Sequence, residues 1–176
     1  MGKSSVHKHP RIVVIMGVAG CGKSAIGTGL AARIGCSFIE GDTLHSPENV
    51  KRMASGMPLT DALREGWLDR IGAELAAAVT RDESVVAACS ALKRIYRERL
   101  RRFVPGILFV YPEIDQDTAK QRVASRKGHF MPASLVDSQF ATLEPPEANE
   151  NAITLDGRLT VEKLVEQAAK SVVAPA

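Results

Sequence analysis

Hydrophobic residues along the chain follow two rhythms. Five short runs are rich in branched apolar residues, several of them at consecutive positions: "RIVVIM" (11–16), "SFIEG" (37–41), "SVVAAC" (84–89), "ILFVY" (107–111) and "AITL" (152–155). Unbroken apolar runs of this length suit strands covered on both faces, as in a parallel sheet. Between them apolar residues recur at helical intervals. Leu63, Trp67, Ile71, Leu75 and Val79 make one stripe, and Leu92, Tyr96, Leu100 and Phe103 another. Strands alternating with helices predict a three-layer α/β domain, a five-stranded parallel sheet with helices on both faces, and ligands bound outside the carboxyl ends of the strands. Residues 11–176 read as a single domain behind a flexible tail over 1–10.

The segment after the first strand carries the clearest chemistry. "GVAGCGKS" (17–24) matches G-x-x-x-x-G-K-[ST], and the helical run "SAIGTGLAARIG" follows it. Strand, glycine loop and helix form the context a nucleotide phosphate loop requires, so the predicted architecture becomes the P-loop NTPase fold. Backbone N–H groups between Gly17 and Ala25, through Val18, Ala19, Gly20, Cys21 and Gly22, turn inward around phosphate oxygens at a positive helix end. Lys23 reaches the β- and γ-phosphates of ATP, and the Ser24 hydroxyl is the expected Mg²⁺ ligand.

The second strand ends in "FIEGDTLH" (38–45). Glu40 and Asp42, two apart, project to one side of an extended chain beside the phosphate loop. A kinase needs a carboxylate to orient or deprotonate the attacking hydroxyl; Asp42 is assigned that task, with Glu40 or Asp42 near the magnesium through water. The third strand ends without the acid of a usual Walker B, which makes this pair more necessary. Ser46 and Pro47 start a short helix, around which His45 and Arg52 are candidates for an anionic acceptor.

"CSALKRIYRERLRR" (89–102) holds six Lys or Arg residues against one Glu. With Ser90 as N-cap, Lys93 falls in the first helical turn over the crevice and Arg97 lies one turn on, so both are substrate candidates. Arg101 is about 12 Å beyond Lys93 along a helix and out of reach of a small acceptor; Arg94, Arg99, Arg101 and Arg102 read as a solvated face. The aromatics here belong to the apolar stripe, and a net charge of +3 is mild, so nucleic-acid binding is not favoured. Residues of about 119–140 read as a mobile helical lid broken at Gly128, with Arg126 directed to the phosphates and Arg122 to adenine. Three cysteines, odd in number and without a C-x-x-C pair, fit a reducing cytoplasm. No apolar run reaches membrane-spanning length.

With these pieces placed, the chain resembles the bacterial gluconokinases, small P-loop enzymes related to shikimate and nucleoside monophosphate kinases. Besides the phosphate loop, "KRMASGMPLTD" (51–61), "CSALKRIYRERLR" (89–101) and "RKGHFMPASLVDSQFATLEPP" (126–146) carry the resemblance. It implies transfer of the ATP γ-phosphate to the 6-hydroxyl of D-gluconate in a cytoplasmic homodimer, with His129 and Gln139 at the lid or pocket. A shikimate kinase, or another small-molecule kinase of this fold, is the alternative; a nucleotide-dependent nucleic-acid binder is more distant. One departure stands out: where the family tends to D-x-D-R-x-P-W-L, this chain has "DALREGWL" (61–68), with Leu63 for the second acid and Gly66 for the proline. The change either loosens the helix start or alters closure on the substrate.

Overall fold

The computed structural model describes residues 10–125 and 134–173. All five predicted strands form: β1 (Ile12–Ile15), β2 (Ser37–Glu40), β3 (Val85–Ala88), β4 (Leu108–Glu113) and β5 (Ala152–Asp156). They pair in parallel in the order β2-β3-β1-β4-β5, so the chain passes from β1 to the edge at β2, returns to β3 beside β1, and then crosses to β4 and β5 on the other side. The crevice of such a sheet opens where that order reverses, at the carboxyl end of β1.

Alternate residues of each central strand feed two cores. On one face Ile12, Val14, Val85, Ala87 and Phe109 meet α3 (Asp61–Thr80) and α4 (Arg94–Phe103) through Trp67, Ile71, Leu75, Tyr96 and Leu100. On the other, Val13, Ile15, Val86 and Val110 meet α1 (Lys23–Ile34) and α7 (Val161–Val173) through Ile26, Leu30, Leu164 and Ala168. Burying each of these large apolar side chains contributes about 1.5–3 kcal/mol, which is what holds the three layers together. α2 (Pro47–Ala54), α5 (Gln116–Ser125) and α6 (Ser134–Thr142) gather at the crevice end instead.

Two helical details differ from the expected pattern. In α3 Leu63 and Val79 are exposed, while Arg64, Trp67, Leu68, Ile71 and Leu75 are buried. A strict four-residue repeat gains about 40° per step on a helix of 3.6 residues per turn. Two steps from Ile71 therefore carry Leu63 and Val79 off the buried face. Around β3, Ser90 does not cap a helix. Residues 90–93 run as a loop with Ala91 at φ 40°, and α4 begins at Arg94. Its first N–H is met from a distance: the Glu144 carboxylate accepts from Arg94 N at 2.7 Å. α2 starts as expected, with Pro47 in its first turn and Ser46 Oγ accepting from Asn49 N at 3.2 Å. Among the described residues, no helix is long and apolar enough to cross a membrane.

Candidate active site

The phosphate loop leaves β1 and bends back through Gly20 (φ 86°) and Gly22 (φ 93°) before α1 begins at Lys23. Gly20 also meets α5 closely: a Cβ there would lie 2.8 Å from the Ala119 carbonyl oxygen. Lys23 Nζ donates to the Val18 carbonyl at 3.1 Å, which holds the ammonium across the loop. Ala19 N donates to Gln139 Oε1 at 2.6 Å, joining the loop to α6.

The facing wall is set by a tight turn. Gly41 opens a 3-10 turn over Gly41–Leu44 directly after β2; a Cβ on it would sit 2.2 Å from the Ala88 carbonyl oxygen, so only glycine fits. Trp67 Nε1 donates to the Gly41 carbonyl at 2.7 Å and pins that turn to α3. Asp42 and His45 are thereby held in the cleft that Gly20, Lys23 and Ser24 line from the other side. The turn also separates the two acids. Extended geometry ends at Glu40, and Asp42 lines the cleft whereas Glu40 does not.

His45 stacks on Trp67, with ring centroids 4.2 Å apart and planes 14° from parallel. Burial lowers its pKa from 6.5 to about 4; Asp42 opposes the shift, while Arg64 and Arg70 add to it. The imidazole is therefore neutral near pH 7. Because the folded pKa lies below the unfolded one, protons bind the unfolded chain preferentially between pH 6.5 and 4. Stability is expected to fall as pH drops through that window and to be flat with respect to this group above it. Thermal midpoints measured from pH 4 to 7 should show a shallower slope in His45→Gln; an unchanged slope would contradict the assignment.

Arg64 completes the wall. It sits one turn into α3 on the face that carries Trp67, Leu68 and Ile71, and is only 9% exposed. Its guanidinium lies over the Tyr96 ring, 5.7 Å from the centroid, yet Nε is buried without a hydrogen-bond partner. Among the described residues no carboxylate pairs with it. A buried cation left in this state is costly unless a ligand supplies the anion. Its position was legible: a charged residue three and four positions before Trp67 and Leu68 must share their buried face.

The expected cations of the α4 segment are placed differently. Lys93 donates to both Asp61 oxygens at 2.8 and 2.9 Å, and Tyr96 Oη donates to the same carboxylate. The Lys93 and Tyr96 hydrogen bonds draw the Asp61 pKa below its usual range. Lys93 does not line the cleft, and of its neighbours only Ser90 does. Arg97 is not a substrate ligand in this arrangement. It is wholly buried, paired at 2.7 Å with Glu150, and its remaining donors are given to backbone carbonyls. Those bonds to Arg97 hold the Glu150 carboxyl down at about 2 against the opposing effect of burial. Arg94, Arg99 and Arg101 pair with Glu98 and Glu147, with Glu65 and Asp69, and with Glu150, so most of the expected solvated face is ion-paired.

Arg52 also lies off the cleft, with Nε donating to the Pro58 carbonyl at 2.9 Å. That bond shapes the loop whose Pro58 and Leu59 do line it. Arg122 donates to the Gly157 carbonyl at 3.0 Å and to the Gly20 carbonyl at 3.4 Å, beside the phosphate loop. Arg126, His129 and the centre of the expected lid lie outside the described residues. Leu135, Ser138 and Gln139 of α6 close the remaining side, and of these only Gln139 was singled out by sequence.

A phosphate loop at the switch point of a parallel sheet, facing a carboxylate and a buried arginine across one cleft, defines a P-loop small-molecule kinase. A family model described as "AAA domain" matches residues 12–146. The gluconokinase of Gluconobacter oxydans is 46% identical over 90% of this chain and 89% of its own length. A gluconokinase structure from Sinorhizobium meliloti superposes with a TM-score of 0.84 at 42% identity, covering 94% of this chain and 93% of that one. An unliganded sugar kinase from Janibacter reaches a TM-score of 0.89 at 44% identity, covering 93% and 94%. The chain belongs to the gluconokinase family.

Proposed function

We propose that this chain transfers the γ-phosphoryl group of ATP to the 6-hydroxyl of D-gluconate, giving 6-phospho-D-gluconate and ADP. The observation that carries the reading is one cleft lined by Lys23 and Ser24 on one side and on the other by Asp42 and by Arg64, which pairs with no carboxylate among the described residues. The loop amides and Lys23 take the phosphates. Asp42 accepts the proton of the attacking hydroxyl, and Arg64 takes the acceptor's carboxylate, a planar anion that a guanidinium fork matches. Gluconate offers hydroxyls and one carboxylate, which suits a wall of that composition. Phosphoryl transfer through a loose transition state asks mainly for alignment and charge neutralisation. Arg122 beside Gly20 serves the nucleotide side, and Arg126 and His129 keep their expected roles in closing over the phosphates and the acceptor.

Magnesium fits the donors present. Ser24 and Asp42 offer hard oxygens on the same cleft, and among the described residues no group of three or more His, Cys, Asp or Glu could hold a metal alone. That suits Mg²⁺, which is commonly held by one or two protein oxygens together with substrate phosphates and water. When bound it neutralises phosphate charge. The proposal extends to a cytoplasmic homodimer, for which family membership is the support.

Shikimate is likewise an anionic polyol, but the relatives that match most of this chain are gluconokinases. A coupled ADP-release assay across D-gluconate, other sugar acids and shikimate decides the acceptor. A clear preference for gluconate is expected, and equal or better turnover of shikimate would overturn the reading.

A further inference from the structure

Arg97 lies in the segment that most resembles a substrate-binding motif, yet it points away from the cleft. Its side chain is 0% exposed. Nε and Nη2 donate to the two oxygens of Glu150, each at 2.7 Å. Nη1 donates to three carbonyls: Ala91 at 3.1 Å, Leu92 at 3.4 Å and Glu144 at 3.0 Å. One guanidinium thus bridges the loop after β3 and the segment between α6 and β5.

Both partners reach the phosphate loop from there. Gly17 N donates to the Ser90 carbonyl at 3.0 Å, and Glu144 N donates to the Leu92 carbonyl at 2.8 Å. On the other side Ala19 N donates to Gln139 Oε1. The connections close a ring: phosphate loop, Ser90 to Leu92, Arg97, the Glu144–Glu150 segment, α6, and the phosphate loop again. Inside it Ala91 has φ 40°, a conformation a residue with a Cβ keeps only where its surroundings impose it. The Nη1 bonds to the Ala91 and Leu92 carbonyls supply that constraint. Ser90, Ser138 and Gln139 of this ring also line the cleft.

We propose that Arg97 is a positioning residue: held by Glu150, it fixes the spacing between the phosphate loop and the α6 wall through backbone carbonyls, without touching substrate. A lysine keeps the charge but cannot fork between a carboxylate and three carbonyls. The inference rests on the cleft being that of a gluconate kinase. Wild-type chain inactive on gluconate would defeat that reading before any variant is made.

In Arg97→Lys, assayed well below its unfolding midpoint, kcat is expected to fall at least about tenfold while KM for gluconate moves less than about threefold. A rise of gluconate KM with kcat retained would make Arg97 a substrate ligand and overturn the proposal. A lower unfolding midpoint with both constants unchanged would reduce the pair to a core ion pair and overturn it equally. Glu150→Gln, which keeps the carbonyl bonds, should give a smaller fall in kcat under the same criteria. If neither variant folds, amide hydrogen exchange on the wild-type chain decides. The Gly17, Ala19 and Glu144 amides should open with one common free energy; Gly17 and Ala19 opening independently of Glu144 would overturn the ring.

Discussion

Asp42→Asn is expected to lower kcat by about 10²–10⁴-fold, the range by which a positioned general base contributes. Asparagine keeps the size of the side chain and one oxygen, so the turn should survive: it rests on the Gly41 fit against Ala88 and on the Trp67 bond to the Gly41 carbonyl. The amide cannot take a proton from the attacking hydroxyl. The loss should therefore fall mainly on kcat, with a smaller change in KM for ATP, because the proposed phosphate contacts are those of Lys23 and the loop that line the cleft opposite Asp42, and Ser24 remains to hold magnesium. Steady-state kinetics with gluconate, beside a thermal melt to verify folding, tests this. A variant within about threefold of wild-type kcat would remove Asp42 from the chemistry.

Arg64→Met should separate binding from stability. The wild-type guanidinium is buried with Nε unpartnered, and the acceptor carboxylate is its proposed counter-charge. A hydrogen bond to a charged group is worth about 1.5–3 kcal/mol, so at about 1.4 kcal/mol per tenfold gluconate KM should rise about 10- to 100-fold. Removing a buried, uncompensated charge from the free protein carries no matching penalty. The unfolding midpoint of Arg64→Met should thus equal or exceed that of wild type. Unchanged gluconate KM would sink the assignment. A collapsed midpoint would identify Arg64 as structural instead.

Much of the fold was legible because its signals are local. Short runs rich in branched apolar residues marked the five strands, and a glycine loop with Lys23 and Ser24 marked the expected phosphate end of the crevice. The acceptor side was less legible for a physical reason. A basic residue in a sequence carries no record of which carboxylate it meets. Lys93 is claimed by Asp61 and Arg97 by Glu150, 32 and 53 positions away. The spacing of Lys93 and Arg97 on one helix looked like a ligand pair, but tertiary ion pairs occupied both. Arg64 was visible as the retained arginine of "DALREGWL" and as a charge on an apolar stripe, but a stripe drawn at intervals of four passed beside it and gave it no role. Glu40 and Asp42 share one side of an extended chain, with Asp42 preferred for the hydroxyl; the close packing of Gly41 bends the backbone between them and leaves only Asp42 of the two in the cleft.

The stack of His45 on Trp67 has an optical consequence. Trp67 is the chain's one tryptophan, 1% exposed, hydrogen-bonded to the turn that carries Asp42 and covered by a cleft-lining imidazole. Indole emission responds to the polarity and charge against its ring. The protein therefore holds an intrinsic fluorophore at its acceptor wall, and titrating gluconate should change its emission with no label attached.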